Sequence, residues 1–136
     1  PWMTAVTDTV APYEDIEAVY AAMKAAVEEG FVEHGALFHA HFSHWYDWGT
    51  AIYPTFLVKD VPGDRTAALD LYDRILRAAT SAALDNGGAL NEHHGIGIRL
   101  GPRLPDAYGA ESFRLLETIK HALDPDDLMN PGKLGL

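Results

Sequence analysis

Apolar residues recur along this chain with two periods, and the changes of period mark its elements. Ile16, Val19, Tyr20, Met23 and Val27 fall at helical spacing. Pro12 suits a helix start, Glu14, Asp15 and Glu17 complement the positive end of the dipole, and Gly30 is a natural C-cap. From Gly35 the period becomes two. Ala36, Phe38, Ala40 and Phe42 share one face, while Leu37, His39, His41 and Ser43 share the other. This pattern predicts a strand with a polar, histidine-bearing face. Asp47-Trp48-Gly49 has turn chemistry, and Ala51 to Val58 reads as a second strand carrying Ile52, Phe56 and Val58. The two form a hairpin in which Pro54 implies an edge position or a bulge.

Asp60-Val61-Pro62-Gly63-Asp64 interrupts the pattern, and a long helix is predicted from about Thr66 to Leu84 through Leu69, Tyr72, Ile75, Leu76 and Ala79. Gly87-Gly88 ends it. Ala89-Leu90 starts a short strand, and Gly101, Pro102 and Pro105 break regular structure before a last helix, about Ala110 to Ala122, that packs Phe113, Leu116 and Ile119. The order helix, hairpin, helix, strand, helix predicts an α+β fold with helices packed on an antiparallel sheet.

Composition narrows the function. With 136 residues, 48% of them hydrophobic, the chain can bury one core. Ten basic against twenty acidic residues give a formal charge of -10, the wrong sign for a phosphate-backbone binder, so no nucleic acid is expected. The absence of cysteine removes disulfides and thiolate metal sites. No apolar run approaches the roughly 20 residues that span a bilayer, and no signal-peptide pattern opens the chain, which together suggest a cytoplasmic setting.

The chemistry concentrates in Asn91-Glu92-His93-His94-Gly95-Ile96-Gly97. Two adjacent imidazoles can exchange protons near neutral pH, and the flanking glycines let backbone approach a flat ligand. The plain alternative is a pair of solvated loop histidines. A phenol such as Tyr53 can serve as an acid or base on a substrate carbon, or can simply pack as a strand aromatic. His39, His41 and His44 invite comparison with a metal site. The spacing is incomplete, so no metal is expected. Arg99 and Arg103 have the fork geometry for a carboxylate or phosphate, or are solvated loop residues. Ser43 lacks a nucleophile elbow.

The histidine loop, one helix further on, is followed by Leu123-Asp124-Pro125 and then Asn130-Pro131-Gly132-Lys133. In order and spacing, His93 to Lys133 resembles the C-terminal end of FAD-linked oxidases of the vanillyl-alcohol-oxidase superfamily. The stretch His41-Phe42-Ser43-His44 through Gly49-Thr50-Ala51-Ile52-Tyr53 resembles the alkyldihydroxyacetonephosphate synthases among them, as does the doubled histidine.

This resemblance implies a cap or substrate domain over residues 1–122 and a tail, 123–136, that returns to an FAD-binding domain absent from this chain. No Gly-x-Gly-x-x-Gly loop opens the sequence, so it reads as a C-terminal piece of a longer polypeptide that alone holds FAD weakly or not at all. The implied catalytic residues are Tyr53, His93 and His94, with His94, Gly95 and Asn130 beside the cofactor and His41, His44 and Arg99 at the substrate. Trp45, Tyr46 and Trp48 are candidates to line an alkyl tunnel. Glu92 departs from the synthases, in which the corresponding element is a run of three histidines. Detached from its partner domain, the Asn130 segment would be a disordered tail.

The implied reaction exchanges acyl for alkyl on dihydroxyacetone phosphate, in ether-lipid synthesis. The alternatives are an FAD-dependent 2-hydroxyacid dehydrogenase of the lactate or glycolate type and a small non-catalytic α+β binding module. The expected partners are a small-molecule or lipid substrate and the missing FAD-binding domain. Peripheral membrane contact and a homodimer are compatible with these.

Overall fold

A computed structural model describes residues 2–136. The chain divides into two compact units, one ending at His93 and the other comprising His94–Leu136.

The first unit is built around one strand. β1 (Met3–Val6), β2 (Thr9–Pro12) and β3 (Leu37–Trp45) all pair antiparallel with β4 (Gly49–Val58), β1 and β2 along one side and β3 along the other. The predicted hairpin is therefore present, and helices α1 (Ile16–Glu28) and α2 (Arg65–Asp85) complete the expected α+β class. Along β4 burial alternates: Ile52, Phe56 and Val58 are buried, whereas Tyr53, Thr55 and Leu57 are half-buried. Phe38 lies opposite Phe56 and forms an edge-on pair with Tyr20 of α1, so the even-numbered face is the core. The odd-numbered face carries His39, His41 and Tyr53, the polar surface that the period-two pattern predicts.

Pro54 occupies the central strand, contrary to the predicted edge position. Val6 pairs with Thr55 and Thr9 with Ile52 in one unbroken register, so Thr7 stands opposite Pro54. The Thr7 amide donates to the Pro54 carbonyl at 3.2 Å, but proline has no N–H to return the second bond of the pair. That missing donor divides one edge strand into β1 and β2. These strands are absent from the sequence reading because Thr7-Asp8-Thr9 hides the period. Pro12 accordingly ends β2 and does not begin a helix.

α1 buries Ile16, Val19, Met23 and Val27, as its spacing predicts. Glu28 ties the helix to the sheet: the Lys24 ammonium, then the Phe38 amide at 3.0 Å, hold its carboxyl below the usual range. α2 starts at Asp64, whose carboxylate accepts from the Ala67 amide at 2.8 Å, a cap that stabilises by about 1 kcal/mol. Its buried stripe runs through Leu71, Ile75, Leu76, Ala79 and Ala83, and the predicted core residue Leu69 faces solvent. Ala89 and Leu90 form no strand; the Ala89 amide bonds the Val10 carbonyl at 2.9 Å, and Thr9 Oγ1 donates to the Ala89 carbonyl at 2.6 Å.

The second unit holds a 3-10 turn at Gly101–Arg103, α3 (Leu104–Tyr108) and α4 (Ala110–Leu123). Pro102 and Pro105, expected to prevent regular structure, occupy first-turn positions where a missing N–H costs nothing. No residue of α4 is buried: Phe113 and Leu116 are half-buried and Ile119 is exposed, so the predicted packing of all three is not realised. The terminal segment is ordered, against expectation. The Leu134 amide donates to the Gly97 carbonyl at 2.9 Å, and a Cβ on Gly101 would meet the Gly135 nitrogen at 2.3 Å.

Asp124 organises the turn after α4. Its carboxylate is paired with Lys120 and accepts from the amides of Leu128 at 2.9 Å and Met129 at 2.8 Å. Lys120 first, then those amides, hold the carboxyl down at about 2, below its ordinary 3.8. The stabilisation is therefore complete above about pH 4 and is lost as pH falls through about 2. Lys120 is raised by Asp124 and then Asp127, so its share is lost on the alkaline side. We expect the protection of the Leu128 and Met129 amides, taken relative to their intrinsic exchange rates, to fall in acid, and Asp124→Asn to show low protection already at neutral pH. Equal protection in both chains across pH 2–7 would contradict this account.

Candidate functional site

The site grows from the odd-numbered face of the hairpin. His41 pairs with Tyr53 across the strands, and their rings stack at 5.1 Å between centroids. Simple alternation would put His44 on the opposite face with Phe42. A β-bulge intervenes: Phe42 pairs with Ile52 but Trp45 pairs with Thr50, so β3 carries one extra residue. The bulge turns Trp45 to the Phe42 side and His44 to the Tyr53 side. Thr50 Oγ1 donates to the His44 carbonyl at 3.1 Å.

His93 comes from the loop after α2. Its ring stacks on Tyr53 at 5.9 Å and meets His44 edge-on at 5.2 Å. His44 stacks on Tyr46 at 6.4 Å, and Tyr46 on Trp48 at 5.5 Å. A continuous row of rings thus runs His41, Tyr53, His93, His44, Tyr46, Trp48. Four sequence-predicted residues, His41, His44, Tyr53 and His93, are brought together.

Glu92 lies within this row. The Tyr46 hydroxyl donates to Oε1, His93 Nδ1 contacts Oε2, and His44 Nδ1 is 3.6 Å from Oε2. Tyr46, followed by His93, keeps the Glu92 carboxyl below the usual range, and the same bond pushes the Tyr46 phenol up. Glu92 is thus a carboxylate at neutral pH and an acceptor for its neighbours. His44, Glu92 and His93 also offer ligand atoms within 4.8 Å of one another, a nitrogen and oxygen set suited to a divalent cation.

Asp8 is the residue that sequence reasoning missed. It is 1% exposed and occupies the gap between β1 and β2, where its oxygens accept from the Asn91 side chain and from the backbone amides of Glu92 and His93. A polar triplet, Thr7-Asp8-Thr9, between Val6 and Val10 was the available signal.

His94, Gly95, Arg99 and Asn130 belong to the second unit. Gly95 and Gly97 have φ of 83° and 55°, and no atom lies within 4 Å of where a Cβ would sit on either. Asn130 has a left-handed φ of 53° and accepts from the Lys133 amide at 3.2 Å. Arg99 is exposed, and Arg103 pairs with Asp106 at 3.5 Å.

Residues 2–134 match the family described as FAD linked oxidases, C-terminal domain, and the chain belongs to that family. It is 30% identical over 131 residues to alkyldihydroxyacetonephosphate synthase of Trypanosoma brucei brucei, covering 95% of this chain and 21% of that protein. It is 26% identical over 128 residues to D-lactate dehydrogenase [cytochrome] 1, mitochondrial, of Saccharomyces cerevisiae, covering 94% and 20%. A solved alkyldihydroxyacetonephosphate synthase structure has the same fold, with a TM-score of 0.60 at 20% identity, over 96% of this chain and 20% of that one. The chain thus spans about a fifth of the length of these relatives. Among the described residues no helix is long and apolar enough to cross a membrane.

Proposed function

We propose that this chain is the substrate-side domain of an FAD-dependent enzyme that replaces the acyl group of an acylated dihydroxyacetone phosphate with an alkyl group. The observation that carries this reading is the stack His41, Tyr53, His93 on the sheet face opposite the helices, where a phenol and an imidazole can handle protons on either side of one carbon. Similarity to the synthases over most of the chain supports it. The space on the side of Gly95 and Gly97 where a Cβ would stand leaves room for a planar cofactor, with His94 and Asn130 as its other contacts. FAD, when bound, supplies an electrophilic ring that ends the cycle in the redox state in which it began.

In this reading Tyr53 takes the proton from the substrate carbon and returns it there after the fatty acid has departed and a fatty alcohol has bonded to the same carbon, the electron pair being held meanwhile by the electrophile that FAD would supply. His93 receives the alcohol's proton, and His41 and His44 hold the substrate. Carboxylic acid and ether product balance the ester and alcohol consumed.

A second reading has its own support in the dehydrogenase similarity: His93 takes the hydroxyl proton of a 2-hydroxy acid, and FAD, when bound, would supply the hydride acceptor. The flavin-bearing polypeptide that contains this domain, mixed anaerobically with lactate, glycolate or 2-hydroxyglutarate, should keep its visible absorbance and should incorporate labelled fatty alcohol. Bleaching by any of the three acids, without alcohol incorporation, would establish the dehydrogenase instead.

A further inference from the structure

Two carboxylates hold the loop that carries His93, and they act on different parts of it. Asp8 Oδ1 accepts from Asn91 Nδ2 at 2.6 Å, and Oδ2 accepts from the backbone amides of Glu92 at 2.6 Å and His93 at 2.5 Å. Successive amides converging on one oxygen fix the direction of the peptide between them, and with it the Cα–Cβ vector of His93. Glu92 then reaches the ring itself: Oε2 contacts His93 Nδ1, and Asp8 Oδ2 lies 3.5 Å from the same nitrogen. An ionised carboxylate can only accept, so a nitrogen facing two of them is the one that bears the proton.

We infer that Asp8 and Glu92 are positioning residues for His93, Asp8 fixing the loop backbone and Glu92 holding the ring in its Nδ1–H tautomer. The inference rests on the reading of His93 as the acid/base group. It assigns Glu92 a purpose that a third histidine could not serve, because a second imidazole at that point would offer a proton as readily as accept one. Burial strengthens the hold. Asp8 is buried in the gap between β1 and β2, and Glu92 is itself restrained by the Tyr46 hydroxyl, so neither carboxylate is free to swing away.

Long-range 1H–15N correlation spectra of the full chain at about pH 9, above the ordinary imidazole range, read the tautomer directly. His93 should carry its proton on Nδ1. Glu92→Ala should move it to Nε2, the form imidazoles favour in water, and Glu92→Gln, which keeps an acceptor oxygen, should retain Nδ1–H. Asp8→Asn should speed exchange of the Glu92 and His93 amides and, in the flavin-bearing polypeptide, lower kcat by about 10- to 100-fold with KM changed far less. An Nε2–H ring in the unmodified chain, or an unchanged tautomer in Glu92→Ala, would overturn the inference. Should Asp8→Asn unfold, Glu92→Ala decides alone. Because the tautomer is read without turnover, an enzyme indifferent to replacement of His93 would sink the functional reading and leave this result standing.

Discussion

On the proposed transferase reading, Tyr53→Phe should lower kcat of the flavin-bearing polypeptide by about 10²- to 10⁴-fold, the range lost when a positioned acid or base is removed. The substitution is unusually clean here. Tyr53 is half-buried on the odd-numbered face, stacked between His41 and His93, and a phenylalanine ring keeps both stacks and the cross-strand pairing with His41. Only the hydroxyl is lost. Flavin content and thermal stability, measured alongside, separate a chemical loss from a structural one. Single-turnover mixing with acylated substrate measures it. A variant within about threefold of the original rate would remove the phenol from the proton-transfer step and leave His93 as the better candidate base.

The largest effect on stability is expected from Phe56→Ala. Phe56 is fully buried in the central strand and meets Phe38 of β3 at 5.9 Å between centroids, so its loss opens a cavity where hairpin and helices converge. Truncating a buried aromatic costs about 3–5 kcal/mol, a large share of the 5–15 kcal/mol by which domains are stable. Urea unfolding followed by far-UV circular dichroism should show a midpoint well below that of the original chain. Phe42→Ala offers the contrast: Phe42 is 40% exposed near the end of the same face, and its removal should cost much less. Comparable costs for the two would mean that the core is centred further toward the hairpin turn than burial indicates.

Periodicity carried most of the architecture. α1, the hairpin and α2 each present an uninterrupted period over many residues, and each lies close to its predicted place. The strands β1 and β2 were not legible because four-residue segments joined by a buried Thr-Asp-Thr triplet show no alternation of polarity. Pro12 and Pro54 were misread for a shared reason: proline states which bond is missing, and only the neighbouring strand shows whether that bond was needed.

The candidate site was legible where residue type alone announces chemistry. Tyr53, His41 and His93 stood out as a phenol and imidazoles in a recognisable pattern, and alternation put His41 on the polar face. His44 reaches them by a bulge, which depends on register and not on composition. Asp8 is separated from the loop it holds by more than eighty residues, and an acidic side chain near one end of a chain ordinarily implies solvent.

The imino acid in the middle of β4 has a further effect, on how the molecule meets copies of itself. A continuous edge strand is a template onto which a second chain can add. Here the single absent N–H of Pro54 cuts that edge into two four-residue pieces, and Ala89 is already bonded to the Val10 carbonyl of the second. The longest uninterrupted length of that edge is therefore Met3–Val6, too short to recruit a stable partner strand, so the break that makes room for Asp8 also guards this edge, leaving the longer β3 as the side on which another strand could add.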